Sequence, residues 1–267
     1  ILLNFIFFLI WSNYKIFRDS IVYNEQQNLL TIADMTAGRL ETYIDEQRLN
    51  IGSIAKNSTF EEKFNDIIKT KDSNPNTDII DIYYKTQQES VQSIELLNKY
   101  GVIVEKKSLI IDNKENVGKN ISNSIGVRDV IKGHKAIVEG AQFEKNNGPT
   151  ICLLEPIFYN NEFEGIIRSK ISINALYKKI VQPIKVGDKG YASVKDKNGL
   201  LLMHPKSEDI GKNIMYAREY QFPRYDWSEL NKIVENQKKG GKGVDIYYSV
   251  WPEDKENNRI KKISAYS

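Results

Sequence analysis

The chain is poor in the side chains that bind metals or form disulfides. Its 267 residues include one cysteine, Cys152, and two histidines, His134 and His204. A single cysteine excludes an internal disulfide, and these three side chains do not have the spacing of a zinc site. We therefore expect no metal and no other cofactor, and we expect Cys152 to be a small buried hydrophobic residue in a strand.

Short enzyme motifs are absent as well. The sequence has no Gly-x-Ser-x-Gly elbow, no Walker loop, no His-Glu-x-x-His pair and no dinucleotide-binding fingerprint. His204 stands between Met203 and Pro205, and the sequence shows no partner of the kind that a catalytic histidine needs. We interpret His204 as a hydrogen-bonding cap of a hairpin, and we expect this part of the protein not to be an enzyme.

Charge of one sign is not concentrated anywhere. The 38 Lys and Arg residues nearly balance the 35 Asp and Glu residues, which leaves a formal net charge of +3. Without a basic run or interleaved aromatic residues, the sequence argues against binding to nucleic acid. The hydrophobic fraction of 40% is ordinary for a globular protein, and the length allows two domains that each bury a core.

The longest apolar run lies at the start of the sequence. Residues 1–11 are almost wholly apolar, but about 20 such residues are needed to cross a bilayer. We interpret residues 1–12 as the outer end of a truncated transmembrane helix. A signal-peptide segment and a buried core helix are the alternatives.

Residues 13–68 predict one long stalk helix. They contain no proline, and apolar residues recur at spacings of three, four or seven, among them Ala37, Leu40, Ile44 and Ile51. Because one face is apolar, the helix must lie along something. That surface belongs to the globular domains, to a partner helix in a homodimer, or to both.

One hairpin pattern occurs twice. Residues 191–195 favour a strand, 196–199 (Asp-Lys-Asn-Gly) favour a turn, and 200–203 form an apolar return strand. The segment 98–104 repeats the pattern of 196–202, and 117–121 repeats that of 210–214. Two matches in the same order predict two copies of one small α+β domain.

The first copy reads as an antiparallel sheet. Strand-like segments occupy 91–97, 101–105, 136–143, 150–159 and 164–173, with short helices at 79–86 and 128–132. Tight turns at 146–148 and 160–161 join the last three strands, which makes them antiparallel. In the second copy, which starts near residue 185, we expect a helix at 229–238 and strands at 244–250 and from 260 onward.

The second copy resembles a known family, the double-Cache sensor domains, which are two PAS-like modules in tandem outside the membrane of bacterial receptors. The segments that resemble its membrane-proximal module are Gly190-Tyr191, Asp196–Gly199, His204-Pro205 and Ile210–Lys212. The resemblance covers about residue 13 to the end. It implies an α+β fold in which the long N-terminal helix precedes two antiparallel-sheet modules, a membrane-distal ligand-binding module at 70–183 and a truncated membrane-proximal module at 185–267.

The resemblance also implies a location and a role. The domain would lie on the extracytoplasmic side of the cell membrane and bind a small molecule in its distal module. It would signal to a histidine kinase, a diguanylate cyclase or a chemoreceptor output part that this sequence does not include. A membrane-anchored structural or adhesion module without a ligand is the alternative hypothesis, and an extracellular hydrolase is the third.

In the family, one face of the distal sheet packs on the long helix and the other lines the ligand pocket. Alternation along 164–173 places Arg168 and Lys170 on the face opposite to Ile167. Two cations on the pocket face would favour an anionic ligand. If both side chains instead point into water, they do not indicate the charge of the ligand.

Members of the family that bind amino acids hold the ligand carboxylate with an arginine of the short helix, and Arg128 matches that position. Two aromatic residues follow that arginine in those members, whereas Asp129 and Val130 follow it here, and Lys170 stands where an aspartate would hold the amine. We therefore expect a small anion, most simply a carboxylate, rather than a free amino acid. The candidate ligand-binding residues are Arg128, Asp129, Phe143, Tyr159, Arg168 and Lys170.

Overall fold

The computed structural model describes residues 2–70, 78–108, 116–144, 148–250 and 259–267. The chain forms two compact units. The first unit is Leu40–Lys179, and the second unit combines Ile1–Arg39 with Ile180–Ser267. Each unit has its own strands and its own hydrophobic core.

The N-terminal helix α1 runs from Leu2 to Ala55, and a separate helix α2 runs from Ser58 to Thr70. The prediction of a single helix over 13–68 was therefore wrong at its C-terminal end. The break has a local cause, because the Asn57 side chain accepts a hydrogen bond of 3.0 Å from the backbone N–H of Phe60 and so caps a new helix.

The predicted membrane segment, residues 1–12, is helical from Leu2 onward as the first part of α1. Within the described residues, no helix combines the length and the apolar character required to span a membrane. The truncated transmembrane helix therefore stays a prediction.

The first unit contains a five-stranded antiparallel sheet, as predicted, in which the strands follow the spatial order 103–108, 91–98, 162–172, 148–159 and 137–144. Its turn at Asn160-Asn161 has positive φ angles of 50° and 65°, which suit a two-residue hairpin loop. The predicted turn at 146–148 lies largely outside the described residues. The elements of the unit are α3 (Asp78–Gln87), β1 (Val91–Asn98), β2 (Ile103–Ser108), α4 (Ile125–Gly133), β3 (Ile137–Glu144), β4 (Gly148–Tyr159), β5 (Glu162–Ser172) and α5 (Ile173–Leu176).

Helices cover both faces of this sheet. One face packs on α4 through a buried cluster, and the members of that cluster are Leu97, Ile103, Val127, Val130, Cys152, Leu154 and Ile166. The alternate residues on β4 point the other way, toward α1, where the Glu155 carboxylate lies 3.5 Å from the place that a Cβ atom on Gly52 would occupy. The sheet is thus buried on both sides.

Among its described residues, the second unit contains the N-terminal part of α1, three antiparallel strand pairs and two further α-helices. Its core consists of Leu201, Ile214, Trp227, Leu230 and Val234. The predicted strand at 191–195 is divided in two, and the helix at Ile214–Gln221 was not predicted. The elements are β6 (Lys185–Val186), β7 (Gly190–Tyr191), β8 (Val194–Lys195), β9 (Leu201–Met203), α6 (Ile214–Gln221), α7 (Ser228–Lys238), β10 (Gly243–Ser249) and β11 (Ile260–Tyr266).

The repeated sequence pattern folds twice into the same backbone. Gly101 and Gly199 have φ angles of +78° and +79°. Each N–H donates a 2.9 Å hydrogen bond to the carbonyl of the first turn residue, Asn98 or Asp196. Positive φ favours glycine at both turns.

The second part of the repeat is equally alike. The N–H groups of Gly118 and Gly211 donate hydrogen bonds of 2.8 Å to the carbonyls of Ile103 and Leu201. The isolated bridges at the equivalent positions join Val102 to Asn120 and Leu200 to Asn213. Each unit therefore contains one copy of the predicted motif, while the exact bounds of 70–183 and 185–267 stay predictions.

We predict that Gly101→Ala destabilises the first unit by more than about 2 kcal/mol. The left-handed backbone alone costs about 1–2 kcal/mol for a non-glycine residue, and the new Cβ would lie 2.8 Å from the Ser122 backbone. Gly133→Ala is the matched control in the same unit, because it adds a methyl group within helix α4 with no atom within 4 Å. Urea unfolding of both variants checks this, and equal effects would contradict it.

Candidate functional site

Several charged side chains, Lys106 of β2 among them, and one thiol lie on the face of the first-unit sheet that α4 covers. Cys152 belongs to the buried cluster under α4. Its partner on β5 is Lys170 and its partner on β3 is Glu139, while Arg168 of β5 pairs with Glu95 of β1. Directly opposed residues share a face of a sheet. We call Glu95, Glu139, Arg168 and Lys170 the polar strip.

Glu95 holds the two cations of the strip. Its Oε2 atom lies 3.2 Å from Nη1 of Arg168, and its Oε1 atom lies 3.5 Å from Nζ of Lys170. Glu95 is only 2% exposed and Arg168 only 5% exposed. The two cations therefore do not point into bulk water, and a carboxylate of the protein itself balances part of their charge.

Arg168 is a buried charge whose neighbours affect its pKa. Burial by itself acts to lower the pKa of its guanidinium, but the adjacent Glu95 carboxylate raises the pKa above its usual value. The Nη2 atom also lies 3.7 Å from Sγ of Cys152. Burial raises the pKa of the Cys152 thiol even though Arg168 opposes this, so the thiol is a neutral, buried group, as expected from the sequence.

Glu139 connects the polar strip to the start of α4. Its Oε1 atom accepts a hydrogen bond of 3.1 Å from the backbone N–H of Gly126, in the first turn of that helix. A carboxylate is stabilised there by the positive end of the helix dipole. Gly126 also provides the room, because a Cβ atom at this position would lie 2.9 Å from the Glu139 carboxylate carbon.

Several buried polar atoms around α4 have no hydrogen-bond partner among the described residues. They are Oε2 of Glu139, Nε of Arg168, Oγ1 of Thr150 and Oγ of Ser124. An unpartnered buried donor or acceptor costs about 1–3 kcal/mol. The arrangement therefore suits a small molecule that brings both an acceptor for Arg168 and a donor for Glu139.

The other predicted ligand residues lie elsewhere. On α4, Val127 and Val130 face the sheet, so Arg128 and Asp129 point outward, with side chains 49% and 46% exposed and an ion pair of 3.4 Å between them. Phe143 on β3 is also exposed.

Tyr159 ends β4, and Nζ of Lys69 on α2 lies 5.9 Å from the centre of its ring. Of the six residues predicted from the sequence, Arg168 and Lys170 belong to the polar strip, and the other four lie outside it.

In the second unit, His204 occupies a structural position. Its Nδ1 atom accepts a hydrogen bond of 3.1 Å from the backbone N–H of Lys206, and its Nε2 atom lies 3.3 Å from the Tyr191 hydroxyl. The residue is 3% exposed. Burial lowers the pKa of the imidazole to about 4. Both ring nitrogens are thus used to close the loop after β9, as the interpretation from sequence required.

A long helix followed by two sheet-containing units with the same hairpin, one of them with a helix-covered polar face, is the architecture of a tandem PAS-like sensor domain. The chain belongs to the Cache domain family, whose profile matches residues 14–261. The resemblance noted from the sequence is confirmed. No curated protein matches the chain.

Several solved structures are similar to this chain in fold. The extracellular domain of vpHK1S-Z8, a predicted histidine kinase, superposes with a TM-score of 0.62 at 14% identity, covering 92% of this chain and 94% of that one. The ligand-binding domain of Mlp24 with asparagine gives 0.58 at 14% identity, covering 93% and 95%. The ligand-binding domain of the amino acid chemoreceptor PctB of Pseudomonas aeruginosa PAO1, in complex with L-glutamine, gives 0.53 at 15% identity, covering 90% of each chain.

We predict that His204 makes the stability of the second unit depend on pH. Because the folded-state pKa of about 4 lies below the usual 6.5, the unfolded chain binds the proton more readily. The contribution is therefore complete above about pH 6.5 and is lost as the pH falls toward 4, by about 3 kcal/mol in total.

Urea unfolding of the wild type and of His204→Asn at pH 4, 5.5 and 7 isolates this effect from other titrations. At pH 7 the variant should be less stable by about 1 kcal/mol for a lost hydrogen bond. The difference should shrink and then reverse as the pH falls. A difference that does not vary with pH would contradict the prediction.

Proposed function

We propose that the chain is the extracytoplasmic small-molecule-sensing domain of a bacterial signal-transduction receptor, and that the first unit binds a small carboxylate over the polar strip. Membership of the Cache family supports the sensing role. The observation that supports the site is the pair of unpartnered buried atoms, Nε of Arg168 and Oε2 of Glu139, beside the N-terminal turn of α4. The output part of the receptor, whether kinase, cyclase or chemoreceptor, lies outside this proposal.

The charge balance of the strip refines the ligand class. Lys106, which is 6% exposed and lies opposite Glu95, adds a third cation to Arg168 and Lys170 against the two carboxylates Glu95 and Glu139. Charge therefore favours an anion but does not explain why the ligand should be a carboxylate. The reason is geometric. The planar guanidinium of Arg168 can donate a hydrogen bond to the ligand carboxylate. The carboxylate of Glu139 can accept a hydrogen bond from a donor group of the ligand.

The ligand that satisfies both groups is a small carboxylate that also carries an amino or hydroxyl group. Amino acids belong to this class, although the sequence alone disfavoured them because Lys170 replaces the expected aspartate. Glu139 supplies a carboxylate from a different strand. The amino acids bound to Mlp24 and PctB belong to the same chemical class.

We also propose that α1 connects the domain to the membrane and provides the surface for a homodimer. Its first turns carry large apolar side chains that are exposed in the single chain, among them Leu3, Phe5, Phe7, Phe8, Ile10 and Trp11. Exposed apolar groups of this density indicate a partner surface or a lipid environment. Sedimentation of the purified chain over a range of concentrations tests the dimer.

We predict that amino- and hydroxycarboxylates raise the melting temperature of the chain, while simple amines do not. A ligand that binds only the folded state stabilises it in proportion to the logarithm of its concentration above Kd. In Glu139→Gln and Arg168→Lys, which nearly preserve size, the affinity for a stabilising compound should fall about tenfold or more, which is the value of one hydrogen bond to a charged group.

Arg128→Ala is the matched control, because it removes an arginine from the same unit at an exposed position. Its ligand affinity should equal that of the wild type. Loss of affinity in Arg128→Ala with no change in Glu139→Gln would move the site to the residue set predicted from sequence. If no carboxylate shifts the melting temperature, the ligand-free structural module becomes the better hypothesis.

A further inference from the structure

Glu155 is a buried carboxylate on the face of the first-unit sheet that lies opposite to the polar strip. It is 8% exposed, and its neighbours on that face of β4, Leu153 and Ile157, are fully buried. Ile167, which lies directly opposite it on β5, is fully buried as well. The carboxylate therefore lies in an apolar layer, where a charged group loses hydration.

Helix α1 covers this carboxylate at a glycine. The place that a Cβ atom on Gly52 would occupy lies 3.5 Å from the carboxyl carbon and from Oε1 of Glu155, and 3.8 Å from Oε2. Both residues belong to the first unit. Glycine in a helix interior is less stabilising than alanine, and here it leaves the carboxylate room against the backbone of α1.

Glu155 lacks partners of the kind that Glu95 has in the polar strip. Its carboxylate forms no hydrogen bond and no ion pair with any residue that the structure describes. The charges that act on it, Arg48 and Lys56, both belong to α1. Arg48 is paired with Asp45 at 3.6 Å, and Lys56 is exposed, so neither one neutralises the carboxylate by direct contact.

The other elements around Glu155 present apolar or neutral groups to the interior. Helix α2 contacts β4, and its charged side chains are exposed or half-buried. The described pairing of β3 with β4 ends at Leu154, and the residue opposite Glu155 on β5 is Ile167. The buried residues of α2 are Phe60, Phe64, Asn65 and Ile67.

These surroundings favour the protonated form of the side chain. Burial raises the pKa of Glu155 above its usual value of 4.5, although the charges of Lys56 and Arg48 oppose the shift. The unfolded chain therefore binds this proton less readily than the folded chain does. The stabilising contribution is complete below about pH 4.5 and is lost as the pH rises through the folded-state pKa.

We propose that the contact between Glu155 and Gly52 responds to acidity. Proton binding to the carboxylate tightens the packing of α1 on the sheet, and proton release loosens it, because the ionised group draws water into an apolar layer. The response needs no ligand and uses the face opposite to the polar strip, so it goes beyond the proposed function. The proton is the effector, and one side chain is its receptor.

Glu155→Gln tests the response, because the amide imitates the protonated carboxyl group in size and stays neutral at every pH. Amide hydrogen exchange at residues 48–55 is measured for the wild type and the variant at pH 4.5, 5.5 and 7. Comparison at each pH cancels the intrinsic pH dependence of exchange. We expect the protection of the variant relative to the wild type to rise at least about twofold from pH 4.5 to pH 7.

Glu62→Gln is the matched control, because it removes an exposed carboxylate from α2 in the same unit. Its protection relative to the wild type should stay constant over this pH range. A ratio for Glu155→Gln that is constant, or that falls as the pH rises, would overturn the proposal, since the fold would then accept the ionised carboxylate. No ligand is present, so failure here is distinct from failure of the carboxylate proposal.

The titration of the Glu155 carboxyl group, followed by NMR, provides a direct test. Its midpoint should lie above that of the exposed Glu62. Gly52→Ala brings a methyl group into contact with the carboxylate and should raise the midpoint further, because it excludes water. Gly38→Ala, in the same helix with no atom within 4 Å of the new Cβ, should leave it unchanged. A midpoint at or below that of Glu62, or equal midpoints in the two glycine variants, would contradict the proposal.

Discussion

The shared carboxylate of Glu95 is the interaction on which the first unit depends. A buried carboxylate loses several kcal/mol of hydration and persists only with well-placed partners, and here Arg168 and Lys170 on the adjacent strand are those partners. Because side chains alternate along a strand, a slip of one residue between β1 and β5 would carry Glu95 to the opposite face. The ion pair therefore fixes the register of the central strands as well as the chemistry of the face under α4.

The two units share a hairpin but not a charge pattern. The turns at Asn98 and Asp196 have the same hydrogen bonds, because an Asx side chain and a glycine of positive φ determine them locally. Three residues before each turn, the first unit has Glu95 and the second unit has Ser193. The same turn is thus compatible with different side chains on the strand before it, since its hydrogen bonds do not depend on the side chains that face the interior.

Much of the fold could be predicted from the sequence because its signals are local. Alternation placed the five strands of the first unit, and the turn at Asn160-Asn161 was read from residue type alone. Helix α6 escaped notice because it is short, although Asn213 caps it with a hydrogen bond of 3.0 Å to the N–H of Met215. The end of α1 at Ala55 was also missed. There, the cap formed by one asparagine outweighs the weak apolar periodicity from which a longer helix was predicted.

The candidate site was less accessible to sequence reasoning, because its parts meet only through tertiary structure. Arg168 and Lys170 could be assigned to one face by alternation. Glu95 could be added only once β1 was known to lie beside β5, and Glu139 only once α4 was placed over β3. A lone acidic residue in the apolar run 94–97 was the available signal for Glu95. Arg128 matched a family position, but the helical phase set by Val127 and Val130 turns it outward.

The two carboxylate oxygens of Glu139 are in different environments, and this difference affects the stability of α4. One oxygen holds the N–H of Gly126 in the first turn of α4, and the other is buried without a partner. A helix whose first turn depends on a single external carboxylate frays when that carboxylate is drawn aside. Any group that engages the second oxygen would therefore tighten or loosen the end of α4. Binding of a ligand at the polar strip would then first change the rigidity of α4, before any larger movement of the fold.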